Sequence, residues 1–82
     1  MSDQHKIEIL KILSEDAVTG QAVRYSFNTL SKNTGLTKDK MDVYLAELAK
    51  ARFVAQYAKK GVDSFTVEIK PAGLDAVLDG SF

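Results

Sequence analysis

The chain has 82 residues, 45% of them hydrophobic and 27% charged, with 11 Lys and Arg balancing 11 Asp and Glu. That length holds one domain with one modest core, here residues 1–82 as a single unit, and leaves no room for a second. The lack of Cys excludes a disulfide framework, a thiolate nucleophile and Cys-bound zinc, so the core alone must hold the fold. No stretch approaches the ~18 to 20 apolar residues of a membrane span, and MSDQHKIE lacks the basic-then-apolar order of a signal peptide. A cytoplasmic chain that makes no use of a membrane is expected.

The zero net charge hides an uneven distribution. Residues 32–60 carry Lys32, Lys38, Lys40, Lys50, Arg52, Lys59 and Lys60 against Asp39, Asp42 and Glu47, whereas acids outnumber bases on either side. A basic middle between acidic flanks hints at a surface that faces a polyanion.

In chain order, residues 3–14 place Ile7, Ile9, Leu10, Ile12 and Leu13 in a helical window, with Ser2 or Asp3 available as N-cap. At 100° per residue these side chains span more circumference than the single stripe of a surface helix, so this helix must be covered on more than one side. A turn and a short extended piece around Ala22–Tyr25 follow. Ser26 then caps a second helix over 27–34, with Tyr25 placed to staple onto Leu30, and Gly35 supplies the left-handed residue that stops it. Leu36, Thr37 and Met41 repeat the same grammar as staple, cap and staple for a third helix over 38–51. Asp39 in its first turn suits the helix dipole. Two capped helices about so tight a turn make a helix-turn-helix corner over about 27–51.

Phe53–Ala58 and Ser64–Ile69 have strand character, the second alternating Phe65, Val67, Ile69 with Thr66, Glu68, Lys70. They form a hairpin over about 53–69, whose KKGVD tip offers Lys59 and Lys60 to whatever lies beyond. Pro71 opens a last helix, since its missing N–H has no partner at a first helical position, with Leu74, Val77 and Leu78 on one face.

The string NTLSKNTGLTKDKMDVYLAELAKARFV, with FTVEIKPAGLDAVL after it, resembles the winged helix-turn-helix domains of small prokaryotic transcription regulators, in a layout similar to the MarR and PadR types. The resemblance covers nearly the whole chain and implies an α+β fold: a three-helix core, a short β-hairpin wing and a C-terminal helix. Lys70 stands where such regulators often place a capping threonine before proline, so a poorer cap is expected there. The resemblance further implies the third helix in a DNA major groove, the wing on flanking phosphate or minor groove, and a homodimer.

The third helix buries Met41, Tyr44, Leu45 and Leu48 and turns Asp39, Val43, Ala46, Glu47 and Lys50 outward, with Lys40 and Asp42 at the edges. That face lacks the Arg and Asn pairs that read guanine and adenine. Affinity for double-stranded DNA would then rest on phosphate contacts by Lys32, Lys38, Lys40, Lys50, Arg52, Lys59 and Lys60, with Val43 against a thymine methyl and Tyr57 as a further contact. The carboxylates, no handicap in a protein-binding module, keep a second reading beside DNA binding: a protein-interaction or dimerisation module. The breadth of the first helix, with Phe82 as an apolar terminus, suggests a homodimer through the first and last helices. An enzyme is not expected: His5 is the single His, and no acid, base and nucleophile set, glycine-rich phosphate loop or metal-ligand spacing accompanies it, so no cofactor or metal is implied.

Overall fold

The computed structural model describes residues 2–80, with side chains from Gln4 onward. Four helices and a three-stranded antiparallel sheet form one α+β domain among them, in the order α1 (Ser2–Asp16), β1 (Val23–Ser26), α2 (Phe27–Thr34), α3 (Lys38–Lys50), β2 (Val54–Lys60), β3 (Ser64–Ile69) and α4 (Pro71–Asp79). The N-cap expected at Ser2 or Asp3 falls on side chains outside the described residues, as does Phe82.

The sheet order is β1-β3-β2, so the hairpin's second strand is central. Tyr25 pairs with Phe65 across β1 and β3, and Val54 pairs with Ile69 across β2 and β3. This register puts Val23, Tyr25, Phe65, Val67, Ile69 and Val54 on the face toward the helices, as the alternation of β3 predicts. The core joins that face to Ile9, Leu10, Leu13, Phe27, Leu30, Leu36, Met41, Leu45 and Leu48. Each fully buried aliphatic side chain contributes about 1.5–3 kcal/mol of transfer free energy. Phe65 is the hub of the aromatic contacts, with the rings of Phe27, Tyr25 and Tyr57 at 4.6, 5.6 and 5.7 Å.

Both helix starts of the corner follow the residues that specify them. Ser26 is the extended N-cap of α2 and accepts from Thr29 N, while Thr37 caps α3 and accepts from Lys40 N. Gly35, at φ 74°, ends α2 and donates to Ser31 O at 2.8 Å. Thr34 Oγ1 donates to Leu30 O and accepts from Leu36 N, so the turn satisfies its own polar groups.

Several expectations need correction. The short strand begins at Val23, not Ala22, and β2 runs through to Lys60. The third helix stops at Lys50, and Arg52 adopts a left-handed φ of 68° beyond it, with Phe53 N donating to Leu48 O in a Schellman-type ending. A bulge at Gln56 and Tyr57 shifts the β2–β3 register, with Gln56 at φ 56° and its amide donating to the buried Glu68 carboxylate at 2.9 Å. The last helix differs most. It turns Gly73 and Ala76 inward, leaving Leu78 84% exposed and Leu74 partly exposed. The reason is spatial: a Cβ on Gly73 would lie 2.5 Å from Phe53 O and 2.9 Å from Ile69, so only glycine permits this approach. Lys70 supplies no side-chain cap to α4, as its identity predicted.

The breadth of α1 is met largely within the chain. Ile9, Leu10 and Leu13 are fully buried, and Ile7 and Ile12 are partly buried against the core. No described helix is long and apolar enough to cross a membrane.

Candidate functional site

The candidate site is the side of the molecule made by α3, the start of α2 and the β2–β3 hairpin. Three inward residues, Met41, Leu45 and Leu48, seat α3 on the core with at most 1% exposure, so the opposite side of this 13-residue helix must face solvent. Asp39, Lys40, Val43, Ala46, Glu47 and Lys50 are all exposed there, as the helical spacing predicted. Val43 is 54% exposed and sits in a shallow depression lined also by Asp39, Lys40, Tyr44 and Glu47. Tyr44 is partly buried, its ring 5.8 Å from that of His5 on α1. His5 Nδ1 lies 3.4 Å from Glu8 Oε1, within ion-pairing distance but without a hydrogen bond.

The carboxylates on this side are mostly engaged. Glu47 meets Lys6 of α1 at 2.7 Å. Asp42 accepts from the Tyr57 hydroxyl at 2.7 Å and lies 3.4 Å from Lys59 Nζ, tying α3 to β2. The Tyr57 hydrogen bond, with the charges of Lys59 and Lys38, holds the Asp42 carboxyl below its ordinary range. Burial and the same carboxylate push the Tyr57 phenol up. Asp39 alone among these acids has no partner among the described residues.

At the hairpin tip Lys59 and Lys60 are both exposed, Lys59 beside Asp42, while the residues after them fold back on the helices. Gly61, at φ 72°, turns the chain back so that Asp63 meets the first turn of α2. Ser26 Oγ donates to Asp63 Oδ2 at 2.7 Å, Asn28 N donates to Oδ1 at 3.1 Å, and Phe27 N donates to the Asp63 carbonyl at 2.7 Å. The ammonium of Lys38 donates to the Val62 carbonyl and lies 5.3 Å from the centre of the Phe27 ring.

The nine residues singled out by sequence therefore divide. Lys38, Tyr57 and Lys59 are held by contacts within the chain. Lys32, Lys40, Lys50, Arg52 and Lys60 are exposed and their side-chain charges have no partner among the described residues, and Val43 is the exposed apolar residue among them. Lys32 lies in the last turn of α2, Lys40 and Lys50 on α3, Arg52 just past it and Lys60 at the end of β2. Asp63 was not legible as a site residue, because its partners lie up to 37 positions away in the chain. The one signal for it was an Asp two positions beyond Gly61 in the tip, which reads equally well as an ordinary turn residue.

Among the described residues no group of three or more His, Asp or Glu is placed to hold a metal ion. In comparisons with known proteins, no family model, curated protein or solved structure matches this chain.

Proposed function

We propose that this chain is a winged helix-turn-helix domain that binds double-stranded DNA, in the manner of a small transcription regulator, with α3 as the groove-facing helix and the β2–β3 hairpin as the wing. One observation carries the reading: the outward side of α3 is covered by no other element, and unpaired Lys40 and Lys50 lie on it while the neighbouring Asp42 and Glu47 are occupied by Tyr57, Lys59 and Lys6. The acids that would repel phosphate are thus partly offset by cations of the chain itself, and the free lysines supply the attraction. The strand order, with the strand between α1 and α2 pairing to the hairpin's second strand, fits the same reading.

On this view affinity comes mainly from phosphates neutralised by Lys32, Lys40, Lys50, Arg52 and Lys60. Val43 then supplies apolar contact with a thymine methyl. Titration of mixed-sequence duplex DNA at a series of salt concentrations is the test. Replacing Lys40 and Lys60 together by Ala should weaken binding and flatten its salt dependence, whereas replacing Val43 should change sequence preference more than salt response.

A second reading, docking of a basic protein segment, is favoured by the depression around exposed Val43 between Asp39 and Glu47. It predicts that Asp39→Lys abolishes partner binding, while the DNA reading predicts that the same change strengthens DNA binding. The exposed Leu74 and Leu78 ridge of α4 supports a weak homodimer on that side of the molecule.

A further inference from the structure

The hairpin tip is tied down by a cap drawn from far along the chain. The N-terminus of α2 already has Ser26, but its hydroxyl accepts from Thr29 N at a long 3.4 Å, and that hydroxyl spends its proton on Asp63. Asp63 takes the two stronger roles: its carboxylate accepts from Asn28 N and Ser26 Oγ, and its carbonyl accepts from Phe27 N. A carboxylate at a helix N-terminus is favoured by the helix dipole and by charge-assisted hydrogen bonding. It also fills the place where a helix N-terminus would otherwise receive a phosphate. Lys38, in the first turn of α3, holds the preceding carbonyl of Val62. Two helices of the corner therefore grip two consecutive residues of the tip, and Lys60 pairs with Ser64 immediately beside them.

The geometry points to Asp63 as the positioning residue of the DNA-facing side: it fixes the wing against α2 so that Lys60 stands at a set distance from Lys40 and meets the phosphate backbone together with it. This rests on the DNA reading above. A wing held in place loses little conformational freedom on binding, so the contact made by its lysine retains more of its strength. An Asp serving only as a cap would leave the contribution of Lys60 unchanged once the chain is folded.

The test is a double-mutant cycle on the full chain with duplex DNA across a salt series, comparing Lys60→Ala in the wild-type background and in Asp63→Ala. In the wild-type background Lys60→Ala should lower affinity and flatten the log–log salt slope by about one. In the Asp63→Ala background the same change should cause less than half that flattening, and amide exchange at Val62, Asp63 and Ser64 should be faster than in wild type. Asp63→Asn, which keeps one acceptor oxygen and loses the charge, serves as the background if Asp63→Ala does not fold. Equal effects of Lys60→Ala in both backgrounds, or tip exchange unchanged by the Asp63 substitution, would overturn the positioning role and leave the DNA reading standing. A wild-type chain that binds no duplex at low salt would overturn both.

Discussion

Arg52 holds a backbone conformation that a non-glycine residue adopts only at a cost, and its exposed side chain makes no recorded bond within the described chain. Replacing it by Gly should therefore raise unfolding stability by about 0.5–1 kcal/mol, read as a higher denaturant midpoint, while DNA affinity falls if the guanidinium meets phosphate. Gly35 is the converse case. Its φ of 74° needs glycine although nothing crowds its missing Cβ, so Gly35→Ala should cost about 1 kcal/mol of stability; an unaltered midpoint would contradict the corner geometry. The stop at Gly35 was legible because glycine announces a left-handed turn. The end of α3 near residue 51 was legible too, but the left-handed Arg52 that follows it was not, because nothing in an arginine announces one.

Tyr25 gives a pH dependence at the same scale. Its hydroxyl donates to Leu13 O at 2.7 Å, and burial, with the charge of Asp16, pushes its phenol up to about 12. The folded state thus holds this proton more tightly than the unfolded one, whose phenol titrates near 10. Its stabilising contribution is complete below about pH 10 and is lost as pH rises through about 12. The thermal midpoint should fall across that window, and Tyr25→Phe should show a shallower fall from a lower starting value. A fall of the same depth in the variant would place its origin elsewhere.

Among the elements, the strands and the two corner helices were legible because their signals are local: alternation in β3, Ser and Thr caps, and a glycine stop. What escaped was decided between elements. Leu74, Val77 and Leu78 make a sound helical stripe in isolation, yet α4 turns Gly73 and Ala76 to the core because Phe53 O and Ile69 approach too closely for any larger side chain. Gly73→Ala should therefore be among the most damaging small changes in the chain. A Cβ 2.5 Å from a backbone oxygen must displace α4 from the end of the hairpin, at a cost of roughly 1–3 kcal/mol. A midpoint within error of wild type would show that α4 is not held where described. The hairpin tip escaped for the same reason, since neither Asp63 nor Lys38 carries any mark of a partner so distant in sequence. At the candidate site the sequence located the basic residues and the outward side of α3, but not which lysines are already in use.

Across the whole molecule, the charge pattern links fold to proposed function. Folding sets Lys6 against Glu47 and Lys59 against Asp42, and these partly exposed pairs add little stability, about 0–1 kcal/mol each. Their larger consequence is to quiet two carboxylates on α3, leaving Lys32, Lys40, Lys50, Arg52 and Lys60, against the unpaired Asp39, to set the local field. The exposed Leu74 and Leu78 ridge should support self-association at tens of micromolar, and sedimentation giving the monomer mass throughout that range would refute it. The claim that this side of the molecule meets DNA is tested most directly by the salt dependence of binding to a mixed-sequence duplex. With about three to five phosphates neutralised, the logarithm of affinity should fall with the logarithm of salt concentration at a slope of about −3 to −4.5, less steeply when Lys40 and Lys60 are both replaced by Ala. No binding at low salt, or a slope untouched by that double replacement, would contradict it.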